Sequence, residues 1–158
     1  MRLHLLTIGR KPPAWVAAGF EDYARRMPRE LPIVLTEIRP GRRDADSPAQ
    51  RARARSEESA RILAAVPSGS VKIALDERGQ TFTTVQFAHR LEAWMREGRD
   101  LCFIVGGADG LDERVRNAAD LMLSLSALTL PHALVRIVLA EQLYRAATLI
   151  RSHPYHRK

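Results

Sequence analysis

Short apolar runs alternate along the chain with stretches whose apolar residues recur at helical spacing, and this alternation sets the predicted elements. Residues 3–8 (LHLLTI) form the first run and end at Gly9, as a buried strand would. Lys11-Pro12-Pro13 stops that strand. Residues 14–27 then place Trp15, Val16, Phe20, Tyr23, Ala24 and Met27 on one helical face, behind a proline suited to a helix start. Residues 33–38 (IVLTEI) are rich in β-branched side chains and predict a second strand. Ser47-Pro48-Ala49-Gln50 supplies a cap, a proline at the first helical position and a glutamine where a capping box wants it, for a helix to about Ala65. Residues 71–75 (VKIAL) predict a third strand that closes on the polar loop Asp76-Glu77-Arg78-Gly79. Thr83 and Gln86 form a capping box for a helix through Glu97, with Phe87, Leu91, Trp94 and Met95 as its apolar face and Gly98 as its stop. Residues 101–105 (LCFIV) predict a fourth strand running into Gly106-Gly107-Ala108-Asp109-Gly110. A short helix over 111–119, a short strand over 121–123 and a long helix over 133–150 complete the chain.

Strand and helix in alternation predict an α/β fold: a mostly parallel sheet with helices on both faces. The length of 158 residues predicts one domain over residues 1–158. Residues 39–46 (RPGRRDAD) are the most loop-like segment, and two readings stand: a flexible basic loop that reaches a polyanion, or a solvated connection.

Composition narrows the class. An apolar fraction of 46% and a charged fraction of 27% are those of a soluble globular protein, and no apolar run reaches the length of a membrane span. The first residues are too soon interrupted by Gly9-Arg10-Lys11 to make a signal peptide. The single cysteine, Cys102, sits inside an apolar run and reads as a small buried hydrophobe; a reducing cytoplasm is the expected location. Net charge is +7, and lysine occurs only at positions 11, 72 and 158, so the positive charge is almost all arginine. Arginine's planar fork suits phosphate and stacks on bases, which points to a nucleic-acid partner. Drift toward arginine in a GC-rich genome would give the same balance without one.

Ligands of an open α/β sheet bind beyond the carboxyl ends of its strands. Three ends are marked here: Leu75-Asp76, Gly106-Gly107, and the segment from Ser124 to Leu130. The glycine pair lets backbone approach a ligand, yet it is neither a dinucleotide fingerprint nor a P-loop. Leu125, Ser126, Ala127, Leu128, Thr129 and Leu130 are too apolar for a solvated loop and too rich in hydroxyls for plain core. Backbone facing an adenine edge between leucine side chains would look like this, as would a buried connection. His132 opens the last helix, and His153, Tyr155, His156 and Arg157 crowd the tail. A metal on His132, His153 and His156 lacks cysteine or acidic partners at ligand spacing, so no metal is expected. A nucleophile drawn from Ser124 or Ser126 with His132 lacks the G-x-S-x-G elbow.

Taken together, these motifs resemble the RlmH family of SPOUT-class methyltransferases. The residues that carry the resemblance are Gly106-Gly107-x-x-Gly110, the run from Leu123 to His132, Leu134-Val135-Arg136, Glu141-Gln142-Leu143-Tyr144-Arg145-Ala146 and the terminal His153-Pro154-Tyr155-His156-Arg157. Trp15, Gly19, Phe20, Tyr23 and Arg25-Arg26 match near the start, so the resemblance spans the chain. Ala108-Asp109 departs from the Pro-Glu of many relatives, and residues 39–46 carry more arginine than is typical. The resemblance implies a C-terminal trefoil knot, S-adenosylmethionine as cofactor, a homodimer with the last helix in its interface, and methylation of N3 of a pseudouridine in large-subunit ribosomal RNA on the assembled ribosome. Cofactor contacts carry over to Leu75, Gly106, Gly107 and the six residues from Leu125 to Leu130. His132, Tyr155, His156 and Glu141 become candidates to take the N3 proton. Arg136 and Arg157 become candidates to steady the anion or a phosphate. The rival readings are a non-catalytic RNA- or ribosome-binding factor with a nucleotide pocket, and a small-molecule methyltransferase, for which +7 is unneeded.

Overall fold

A computed structural model describes residues 1–9 and 11–152. Five strands, β1 (Leu3–Ile8), β2 (Ile33–Ile38), β3 (Val71–Thr81), β4 (Leu101–Val105) and β5 (Leu121–Ser124), alternate with five helices, α1 (Ala14–Arg26), α2 (Pro48–Ala65), α3 (Thr84–Glu97), α4 (Glu113–Ala118) and α5 (His132–Ile150). The strands form one sheet in the order β2-β1-β4-β3-β5, and every pairing is parallel. All five carboxyl ends therefore lie along one edge.

Alternation of side chains across the sheet sorts the helices. Leu3, Leu5, Ile73 and Phe103 point to one face, where they meet Phe20 of α1, Leu91 and Trp94 of α3, and Leu139 and Leu143 of α5. Leu6, Ile8, Ala74, Cys102 and Ile104 point to the other, against Ile62 of α2 and Val115 of α4. Cys102 is fully buried, and burial pushes its thiol pKa up to about 12, in keeping with a structural hydrophobe. No helix among the described residues is long and apolar enough to cross a membrane. The local signals hold. Ser47 Oγ accepts from the Gln50 amide at 3.2 Å, Thr83 and Gln86 close a reciprocal capping box, and Gly98 ends α3 in the left-handed region at φ 70°.

Two stretches differ from expectation. The third strand does not end at Leu75. Leu75 and Gln80 both pair with Leu123, so Asp76, Glu77, Arg78 and Gly79 loop out of β3 before the ladder resumes. Gly79 permits the return, because a Cβ there would stand 2.7 Å from the Leu123 backbone. Residues 39–46, which join β2 to α2, are tied down and not free. The amides of Gly41 and Arg42 donate to the carboxylates of Glu58 (2.9 Å) and Glu57 (3.1 Å), and Arg61 donates to the carbonyls of Arg39 and Pro40 at 2.8 Å. Gly41 lies so close to α2 that any side chain there would collide with the Ala54 backbone. The carboxylates of α2 thus hold the basic segment down.

The last connection does the most to shape the molecule. β5 is one edge of the sheet and β2 the other. Yet Arg136, in the second turn of α5, donates to Glu37 of β2 at 2.9 Å and to Thr7 of β1 at 3.3 Å. Residues 125–131 therefore carry the chain across the carboxyl edge of the sheet, a width of about 19 Å at ~4.8 Å per strand.

Candidate functional site

That crossing roofs a cavity of about 860 Å³ at the carboxyl ends of β3, β4 and β5. Its size and mixed lining are those of a small-molecule site. Leu75 and the excursion after it form one wall. Gly106 to Leu111 form a second, and Ser124 to His132, except Ala127, form the third. The three strand ends expected from the sequence converge on this one hollow.

Each wall is held by its own chemistry. The glycine wall folds on itself, with the Gly110 amide donating to the Gly107 carbonyl at 3.0 Å. Gly110 takes a φ of 75°, and a Cβ on Gly106 would stand 2.8 Å from the Gly110 carbonyl carbon, so a side chain at 106 has nowhere to go. In the third wall, Ser124 Oγ donates to the Ser126 carbonyl (3.0 Å) and Ser126 Oγ accepts from the Leu128 amide (2.9 Å). These hydroxyls shape the loop, and neither bonds to His132, so no serine nucleophile is assembled here. Leu128 is left 76% exposed beside the cavity, an apolar side chain positioned to cover an apolar ligand.

Asp76 is the polar hub. Its side chain is 8% exposed and accepts from the Arg78 amide (3.0 Å) and from Arg78 Nε (3.1 Å) and Nη2 (3.2 Å), with Arg116 of α4 at 3.5 Å. Arg116 also donates to the Leu111 carbonyl, which links the excursion of β3 to the glycine wall. Glu77 accepts from Thr129 at 3.3 Å and links it to the roof. Burial opposes the charge on Asp76, but the hydrogen bonds from the Arg78 side chain and amide, with the charges of Arg78 and Arg116, outweigh it and hold the carboxyl below its ordinary 3.8. A depressed pKa gives stability that is present above the unfolded value and is lost as pH falls through the folded one. Asp76→Asn is accordingly expected to unfold about 1 kcal/mol more easily at pH 7, the difference between charged and neutral hydrogen bonds. That gap should close as pH falls below 3.8. Thermal unfolding of both proteins between pH 3 and 7 measures it; a gap that stays constant with pH would rule out the ionised hub.

Of the expected proton-handling residues, His132 lines the cavity and Glu141 does not, among the described residues. His132 lines the cavity at the exposed start of α5. Arg136 is 4% exposed and turned inward onto Glu37 and Thr7, away from the cavity. Glu141 pairs with Arg145 at 2.7 Å and accepts from Gln142, two turns beyond His132 and outside the lining. Tyr155, His156 and Arg157 lie outside the described residues. Sequence reasoning missed Arg55, Glu77, Arg78 and Arg116 as lining residues. Arg55 sits in the middle of α2 and Arg116 in α4, and neither belongs to a motif. Among the described residues no group of three His, Cys, Asp or Glu is arranged to hold a metal.

The chain can be placed among known proteins on this geometry. A family model described as "Predicted SPOUT methyltransferase" matches residues 1–156. The protein named ribosomal RNA large subunit methyltransferase H from Thiobacillus denitrificans is 55% identical over 157 residues, 99% of each chain. The protein of the same name from Nitrosospira multiformis is 54% identical over the same length, again covering 99% of each. Among solved structures, a methylase family protein from Neisseria gonorrhoeae shares the fold with a TM-score of 0.52 at 12% identity, over 90% of this chain and 81% of that one.

Proposed function

The chain belongs to the SPOUT methyltransferase family, alongside the ribosomal RNA large subunit methyltransferases H, and we propose that it transfers a methyl group from S-adenosylmethionine to N3 of a pseudouridine in large-subunit (23S) ribosomal RNA. The observation that carries this is the single cavity into which three parallel strand ends open, in a chain more than half identical to those methyltransferases over nearly its whole length.

The lining fits that cofactor. Leu75, Leu125, Leu128 and Leu130 offer apolar surface to a purine ring, and the carboxylates of Glu77 and Asp109 favour positive charge. When bound, S-adenosylmethionine supplies a methyl group already activated by a cationic sulfur. The chain's own task is then to orient the base and to take the imide proton from N3 as the new N–C bond forms. His132, which lines the cavity, is proposed to accept that proton, and the tail residues Tyr155, His156 and Arg157 are proposed to face the base and its phosphate. Arg136 and Glu141 act instead as positioning residues of α5.

The net charge of +7 suits an RNA partner, and this basic domain would read its target by shape and charge on the assembled particle. Leu134 and Val138 of α5 remain half-buried although Leu139, Ala140 and Leu143 are already packed inside the protomer. That second apolar stripe supports a homodimer through α5. The proposed location is the cytoplasm, where the ribosome is.

Incubation with tritiated S-adenosylmethionine and ribosomes lacking the modification is expected to give one methyl group per large subunit, and deletion of residues 153–158 to reduce it sharply. Cofactor binding with no transfer to any ribosomal particle would favour the non-catalytic RNA-binding factor. Full activity without the tail would remove the tail from the site.

A further inference from the structure

Among the described residues, three arginines line the cavity: Arg55 from α2, Arg78 and Arg116. Arg78 is engaged by Asp76, and Arg116 by Asp76 and the Leu111 carbonyl. Arg55 is half-buried and makes no hydrogen bond or ion pair with any described residue. The acids that line the cavity are turned to other partners: Asp76 to two arginines, Glu77 to Thr129, and Asp109 to Arg43 at 3.1 Å. Its neighbours on α2 also pair elsewhere, Arg51 with Asp46, and Arg53 and Arg61 with Glu57.

The position of Arg55 in the cavity follows from its helix. Glu58 lies three residues on, so the two share one face of α2. A Cβ on Gly107 would come within 3.8 Å of the Glu58 carboxylate, so this face of α2 abuts the glycine wall. Arg55 therefore stands on the glycine side, while the apolar, uncharged roof from Leu125 to Leu130 forms another side. A cavity with an apolar wall on one side and an unpaired guanidinium on another suits a ligand with a ring at one end and a carboxylate at the other. The guanidinium fork matches a planar carboxylate with two parallel hydrogen bonds.

We propose that Arg55 binds the α-carboxylate at the methionine end of the cofactor, and so selects the intact amino-acid-bearing cofactor over adenine nucleosides that lack that group. The assignment rests on the S-adenosylmethionine reading above. Its test is calorimetric titration of the full-length protein and of Arg55→Gln and Arg55→Lys with two ligands, S-adenosylmethionine and 5′-methylthioadenosine, which lacks the carboxylate. Arg55→Gln is expected to lose about ten- to a hundredfold in affinity for S-adenosylmethionine, the range of a charge-assisted hydrogen bond, and nothing for methylthioadenosine. Arg55→Lys should recover part of the loss. Unchanged affinity of Arg55→Gln for S-adenosylmethionine overturns the assignment, and a simultaneous fall in turnover on ribosomes would move the residue to an RNA phosphate. Equal losses for both ligands also overturn it, since they report damage to the cavity. If the unaltered protein binds neither ligand, the cofactor reading itself fails, and the assignment with it.

Discussion

Replacing Gly106 with alanine is expected to lower affinity for S-adenosylmethionine by at least about tenfold, while costing about 1–3 kcal/mol of stability, as overpacking does. A Cβ at this position would stand 2.8 Å from the Gly110 carbonyl carbon, 2.9 Å from its oxygen and 3.0 Å from the Leu111 nitrogen. All three are backbone atoms, so no rotamer change relieves the clash. The wall must move, and it is the wall that meets the excursion of β3 through Arg116 and the Leu111 carbonyl. Displacement at one strand end is thereby passed to a second. Titration calorimetry gives the affinity and thermal unfolding the stability. An alanine variant that binds as well as the parent would mean that the glycine wall is not part of the cofactor site.

The second large effect is on stability. Glu37→Ala is expected to destabilise the protein by about 3 kcal/mol, the low end for removing one partner of a buried pair, because water reaches the Glu37 side of it. Arg136 is 4% exposed, its Nε already has no acceptor among the described residues, and only Glu37 and Thr7 receive its other nitrogens. Without Glu37 the guanidinium is a buried, uncompensated cation. The converse change, Arg136→Met, leaves Glu37 with its side chain 31% exposed and able to hydrate, so it should cost less. The double variant should come closer to the parent than Glu37→Ala alone. Chemical denaturation of the three variants checks the order; Arg136→Met as the most damaging of them would contradict it. The pair sits where α5 lands after crossing the sheet, so these variants also probe whether that landing holds the roof in place.

What was legible in the sequence was local or periodic. Ser47, Thr83, Gln86 and Gly98 mark helix ends with their own side chains or backbone, and each does in the fold what its chemistry predicts. The apolar runs gave all five strands because a parallel sheet covered on both faces needs nearly continuous apolar sequence. The three strand ends were legible as a site because topology forces them onto one edge. The remainder depends on contacts between residues far apart in sequence. Asp76-Glu77-Arg78-Gly79 has the composition of a turn, and nothing local says that Gly79 returns to Leu123 forty-four positions on. The acids Glu57 and Glu58 carry no local sign of a partner beyond their helix, while in the fold they hold down residues 39–46. Arg43 of that segment pairs with Asp109, so the segment is also tied to the glycine wall. Arg136 reads as a cation for the site, but Glu37, 99 positions away, claims it. Arg55 carried no signal, because its lack of a partner among the described residues depends on where the fold turns the acids near it.

The measurement that bears most directly on the whole account is the identity of the methylated atom. Ribosomes lacking the modification are treated with the protein and S-adenosylmethionine, and their large-subunit RNA is digested and mapped by mass spectrometry and by reverse transcription. N3 lies on the pairing edge of pseudouridine, so a methyl group there stops the transcriptase. The account predicts one new stop at a single pseudouridine, with the added mass on its base, and none when Gly106→Ala is used at a cofactor concentration that saturates only the parent. Methylation of a ribose, of another base, or of no ribosomal nucleotide at all would contradict it.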